Sequence, residues 1–179
     1  MGAGDEQLML AYRGGDAAAF EELYRRHKGG LFRFVTRSVR DRAVAEELYQ
    51  EIWMRAIEAR GRYEAQAKFT TWLYTIAHNR LVDHWRKKGL QLVSLDTESE
   101  VSGNPGFEPL KVLEAKQGVE RFVRALEALP PAQREAFLLH HEAEMSVAEI
   151  ARATGANEEA AKSRLRYAIA KLKEALGDG

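Results

Sequence analysis

Cysteine is absent from this chain of 179 residues, which excludes disulfides, thiolate-bound zinc and a cysteine nucleophile. The five histidines do not replace it. His140 and His141 are neighbours that diverge on a helix, and His78 and His84, six apart, share a helical face poorly. No metal and no other cofactor is expected. A long apolar run is missing too: none approaches the ~20 residues that cross a bilayer as a helix. The opening Met1-Gly2-Ala3-Gly4-Asp5-Glu6 has neither the basic nor the apolar segment of a secretory signal, and Glu6 stands where myristoylation requires a hydroxyl. A cytoplasmic chain with no membrane insertion is the expectation. Glycine-rich phosphate loops and nucleophile–base triads are also lacking, so an enzyme is not expected.

What is present is ordinary for a globular chain, 45% hydrophobic and 30% charged. The formal net charge is zero, yet it is unevenly spread. Residues 1–88 hold 16 Lys and Arg against 12 Asp and Glu, residues 89–114 hold 1 against 5, and residues 115–179 hold 10 against 10. A chain so balanced binds free nucleic acid weakly, because the phosphate term supplies most nonspecific affinity. A nucleic-acid reader of this composition needs a larger assembly to hold it in place.

The apolar residues recur at helical spacing nearly throughout. Asp16 can cap a helix carrying Phe20, Leu23, Tyr24, His27, Leu31, Phe34 and Val35 on one side, although Gly29-Gly30 interrupts that pattern. Asp41 can cap a second helix with Val44, Leu48, Ile52 and Ala56 inward. A break from Arg60 to Lys68 precedes a long helix striped with Phe69, Trp72, Leu73, Ile76, Ala77 and Leu81. That stripe assigns Trp72 to the core; Trp85 suits either packing or a strand contact. Between Gly89 and Pro109 the composition turns to Ser, Asp, Glu, Gly and Pro, an acidic linker. Helical pattern then resumes and is broken at Pro130-Pro131, where Pro131 suits a first helical turn. The fold class expected is all-α: two small helical domains, residues 1–88 and 112–179, joined by a linker at 89–111.

The second domain carries a helix-turn-helix. Ser146-Val147-Ala148-Glu149 reads as a capping box, Gly155 fits the left-handed position that ends a helix, and Asn157 can cap the next. From Glu158 the residues Ala161, Leu165, Ala168, Ile169 and Leu172 form a core stripe. Asn157, Lys162, Ser163, Arg164, Arg166 and Tyr167 remain for DNA, as on a helix that enters the major groove.

Two further segments join this one. Ala45-Glu46-Glu47-Leu48-Tyr49-Gln50-Glu51-Ile52-Trp53 resembles the polymerase-binding helix of bacterial RNA polymerase sigma factors, where Ala-Glu-Asp-Leu-x-Gln-Glu-x-Phe is usual. Phe69-Thr70-Thr71-Trp72-Leu73-Tyr74-Thr75-Ile76-Ala77-His78-Asn79-Arg80, followed by Asp83 and Arg86-Lys87-Lys88, resembles their minus-ten helix. The helix-turn-helix ending Lys162-Ser163-Arg164-Leu165 resembles the minus-thirty-five reader. All three stand in the family's order from about Leu8 to Leu176, and the resemblance is to the small extracytoplasmic-function (ECF) type.

That resemblance implies transcription initiation in a stress response, with core RNA polymerase and promoter DNA as partners and an anti-sigma factor as a further one. It places Glu46, Glu47, Leu48, Gln50, Glu51 and Trp53 against the polymerase clamp. It places Lys68, Thr70, Thr71, Thr75, Asn79, Arg80, Arg86, Lys87 and Lys88 on the minus-ten element, with the loop from Gly61 to Lys68 receiving a flipped base. It also runs the acidic linker, with Asp96, Glu98 and Glu100, through a polymerase channel. Glu159, Ala160 and Ala161 replace the family's frequent Gly-Thr-Val, and Tyr167 and Ile169 replace arginines, leaving fewer phosphate ligands on the recognition helix. Two rival readings remain: a stand-alone helix-turn-helix regulator, which predicts a palindromic operator, and a sigma-like polymerase-interaction protein that reads no promoter.

Overall fold

The computed structural model describes residues 2–89 and 116–177; the linker from residue 90 onward lies outside the described residues. The first domain holds α1 (Asp5–Arg13), α2 (Ala17–Ser38), α3 (Arg42–Glu58), a 3-10 turn at Arg60–Arg62 and α4 (Phe69–Lys87). The second holds α5 (Lys116–Ala128), α6 (Pro131–Glu142), α7 (Val147–Thr154) and α8 (Glu158–Gly177). No strand occurs among the described residues.

The helix starts follow local chemistry. The Asp16 carboxylate accepts the N–H groups of Ala18 and Ala19 at 3.0 and 3.3 Å, and Asp41 does the same for Ala43 and Val44. Each such cap contributes about 1 kcal/mol by satisfying donors with no partner in the first turn. Gly29 and Gly30 do not break α2, which runs unbroken through them. A Cβ on Gly30 would sit 3.5 Å from the Tyr74 hydroxyl and 3.8 Å from the Glu142 carbonyl oxygen. Both are ordinary van der Waals distances, so α4 and the end of α6 pack beside α2 at this point without requiring a glycine.

Leu23, Leu31, Phe34, Leu48, Ile52, Leu73 and Leu81 are enclosed in the first domain, and Leu126, Leu138, Leu139, Ile150, Leu165 and Leu172 in the second. At ~1.5–3 kcal/mol for each large apolar side chain fully removed from water, these stripes outweigh any single cap. Trp85 is packed inside at 4% exposure, which decides between its two readings. Trp72, expected in the core, is only half-buried; its ring meets the Tyr63 ring edge-on at 5.4 Å.

The two domains lie against each other, α2 on α6 and α4 on α7. Arg134 of α6 donates from Nη1 to the Ser38 carbonyl oxygen at 2.9 Å and from Nη2 to that of Leu129 at 3.0 Å. It thereby ties the end of α2 to the α5–α6 turn.

Candidate polymerase- and DNA-binding surfaces

On α3, Glu46, Glu47 and Gln50 are exposed, whereas Leu48 and Trp53 are 2% and 6% exposed and belong to the core. These two orient the helix and present nothing to solvent. Glu46 accepts from Arg42 at 3.1 Å. Glu51 is taken up within the domain: its Oε1 accepts from Arg80 Nε at 3.1 Å and Nη2 at 2.7 Å. Met54 is 57% exposed and continues the outward face through Glu47 and Gln50 at helical spacing. It is absent from the expected set, although an apolar residue at an outward register position was the available signal. α3 packs on α2 and α4 and has no substantial contact with α5–α8.

The segment between α3 and α4 is fastened by α1. The Tyr63 ring is buried, its hydroxyl donates to the Ala67 carbonyl at 2.6 Å, and its own carbonyl accepts from Arg13 Nη1 at 2.9 Å. Burial, with a smaller contribution from Glu6 and Asp5, pushes the Tyr63 hydroxyl pKa up to about 12. At the start of α4 no neighbouring side chain caps the helix; instead Glu6 of α1 accepts the Phe69 N–H at 2.8 Å. A cap supplied from 63 residues away fixes both the loop and the entry of α4.

Along α4 the nine expected minus-ten residues divide. Asn79, Arg86, Lys87 and Lys88 are exposed. Thr70 is half-buried; Thr75 bonds the Thr71 carbonyl at 2.7 Å, and the Thr71 hydroxyl is enclosed without a partner. Arg80 is committed to Glu51, as described, and Lys68 to Glu149 of α7 at 2.7 Å. At the helix end, His84 is held below its ordinary pKa by partial burial first, then by Lys88, Arg80 and Lys87. Lys88, Arg80 and Lys87 thus add a secondary positive field at the end of α4 to the effect of burial.

In the second domain the turn is built as its sequence dictates. The Ser146 hydroxyl accepts the Glu149 N–H at 3.2 Å, and Glu149 accepts the Ser146 N–H at 2.9 Å. Gly155 adopts φ 70°, and Asn157 accepts the Ala160 N–H at 2.8 Å. On α8, Lys162 is exposed and Ser163, Arg164, Arg166 and Tyr167 are half-buried, while Ala161, Leu165, Ala168, Ile169 and Leu172 face inward. Glu158 and Glu159 are exposed on the first turn, where carboxylates suit the helix dipole. Among the described residues, no helix is long and apolar enough to cross a membrane.

Comparison with known proteins agrees with this geometry. Residues 23–91 match the family model for sigma-70 region 2, and residues 120–172 match that for sigma-70 region 4. The chain is 34% identical over 174 residues to the RNA polymerase sigma factor CarQ of Myxococcus xanthus, covering 95% of this chain and 96% of that one. It is 31% identical over 177 residues to the ECF RNA polymerase sigma factor BldN of Streptomyces coelicolor, covering 96% and 66% respectively. The sigma factor RpoE of Bartonella quintana, solved in complex with the anti-sigma factor NepR, superposes with a TM-score of 0.69. Its identity is 25%, over 88% of this chain and 96% of that one. CnrH, solved with the cytosolic domain of CnrY, gives a TM-score of 0.71 at 22% identity over 96% of each chain, a likeness of fold.

Proposed function

Because the chain belongs to the sigma-70 family of RNA polymerase sigma factors, we propose that residues 1–88 form its clamp-binding and minus-ten domain, that residues 89–111 are the linker, and that residues 112–179 form its minus-thirty-five domain. The protein is not an enzyme; it binds core RNA polymerase and promoter DNA and directs where transcription starts. It does so in the cytoplasm, where its polymerase is.

The observation that supports the residue assignment is the exposure of Glu46, Glu47 and Gln50 on α3, of Asn79, Arg86, Lys87 and Lys88 on α4, and of Lys162 on α8. Glu46, Glu47 and Gln50, extended by Met54, meet the clamp as an exposed acidic and amide face of α3. Asn79 hydrogen-bonds an unpaired base, and Arg86, Lys87 and Lys88 follow the phosphates beyond it. The loop that α1 fastens receives a flipped base, whose unstacking costs a few kcal/mol that the pocket must offset. Lys162, Ser163, Arg164 and Arg166 on α8 engage the upstream duplex. Leu48 and Trp53 act by holding α3 in register. Two readers, each weak alone, gain effective concentration from their linkage, and the promoter spacing becomes part of the specificity. An anti-sigma factor, as in the RpoE–NepR complex, is a further partner that this chain would accept.

The test is transcription in vitro from a pool of genomic fragments by core polymerase with the purified protein, mapping the start sites. Starts that share two upstream elements at constant spacing are expected. Polymerase binding without specific starts would overturn the promoter-reading assignment.

A further inference from the structure

Three glutamates of the second domain, Glu135, Glu142 and Glu149, fall seven residues apart and all turn toward the first domain. Each carboxylate ends on a basic side chain there. Glu135 meets His78 Nδ1 at 2.7 Å, with the two side chains 3% and 12% exposed. Glu142, 6% exposed, accepts from Arg33 Nε at 2.8 Å and also from Arg37. Glu149 meets Lys68 at 2.7 Å. Lys68 and His78, with Thr71 and Thr75 between them, share one face of α4 at helical spacing. The second domain therefore covers part of the helix that the promoter strand requires, with carboxylates in the positions where phosphates would be attracted.

We propose that Glu135, Glu142 and Glu149 form an internal acidic latch, occupying a basic track of Arg33, Arg37, Lys68 and His78 whose ligand in the opened chain is the phosphate backbone of promoter DNA. This rests on the promoter-binding function above and adds Arg33, Arg37 and His78 to it. Among the described residues the second domain makes no substantial contact with α3, so polymerase can engage before the domains part. Arg33 and Arg37 are half-exposed, which leaves them accessible to a competing anion. The Arg33, Arg37 and Lys68 ends of these pairs reach solvent, where salt screens them, whereas the Glu135–His78 pair is enclosed and screened less.

The chain's lack of cysteine makes the test direct. Glu58→Cys and Glu174→Cys, both exposed and outside the contact, carry a donor–acceptor dye pair on the full-length protein without polymerase or DNA. A narrow distance distribution is expected for the otherwise native chain, and a broader, longer one for E135Q/E142Q/E149Q at an unchanged helical circular-dichroism signal. Should the triple variant fail to fold, R33E/R37E places like charges at Glu142 from the exposed side and should open the chain equally. The opened glutamine variant should bind a mixed-sequence single-stranded oligonucleotide with a log–log salt slope steeper by roughly two, at about 0.7 per phosphate on a single strand, whereas R33E/R37E, opened but stripped of two basic groups of the track, should gain none of that slope. Unchanged distances in both variants would overturn the latch. Opening of the glutamine variant with an unchanged salt slope, or a slope in R33E/R37E as steep as in that variant, would overturn the phosphate track. Neither result depends on whether the protein starts transcription.

Discussion

Arg80 and Glu51 hold each other across the first domain, guanidinium Nη2 to carboxylate Oε1 at 2.7 Å. The family pattern assigns one to DNA and the other to polymerase, yet here they join α4 to α3. The Arg80 side chain is only 11% exposed and its Nη1 has no partner, so removing Glu51 strands a largely enclosed charge. Glu51→Ala should cost about 1–3 kcal/mol, read as a lower urea midpoint at constant slope. A loss of polymerase affinity with unchanged stability would instead place Glu51 on the clamp.

Glu6 caps α4 from α1, and its removal should be felt at the minus-ten site. Glu6→Ala is expected to lower stability by about 1 kcal/mol, the usual value of a lost N-cap, and to weaken open-complex formation more than duplex binding. Permanganate reactivity of unpaired thymines in the promoter measures the former; filter binding of the minus-thirty-five duplex measures the latter. Equal losses in both would show that the cap matters only to folding.

Gly155 sits at φ 70° in the helix-turn-helix. An L-residue in that region costs roughly 1–2 kcal/mol, so Gly155→Ala should lower the melting temperature by a few degrees and Gly155→Asn by less, since Asn tolerates this conformation. Differential scanning calorimetry checks the order. A reversal would mean that the turn relaxes without strain.

His84 gives a pH signature with a definite sign. Its folded pKa lies below the ordinary imidazole value of 6.5, so the unfolded chain binds its proton first on acidification. The stability contribution is complete above about pH 6.5 and is lost as pH falls toward the folded value. Bound phosphates would neutralise the field of Lys88, Arg80 and Lys87 that helps hold it down. The imidazole NMR titration midpoint should therefore lie below 6.5 in the free protein and rise on the promoter; no rise would move the DNA path away from the end of α4.

What was legible in the sequence was what neighbours decide. Asp16, Asp41, Ser146 with Glu149, Gly155 and Asn157 all act within a few residues of themselves, and each does in the fold what its spacing implies. The three family motifs were legible for the same reason, being contiguous. α1 went unread because its use lies in Glu6 and Arg13 reaching the distant 63–69 segment, and no local pattern records that. Gly29-Gly30 looked like a break because a helix is weakened by glycine; the burial of Leu23, Leu31, Phe34 and Val35 that carries α2 through them exists only in three dimensions. The pairings of Arg80 with Glu51 and Lys68 with Glu149 were invisible likewise: a charged residue at an outward register gives no sign of which long-range partner claims it.

The three tryptophans, Trp53, Trp72 and Trp85, all lie on α3 and α4, and the second domain has none. Indole emission is thus a private signal of the first domain, and the helix-turn-helix domain is dark at that wavelength. Acceptor dyes on α8 would turn the same indoles into a ruler between the halves. Melting of the first domain, which exposes Trp85 and shifts its emission to the red, is then separable by colour from a parting of two intact domains.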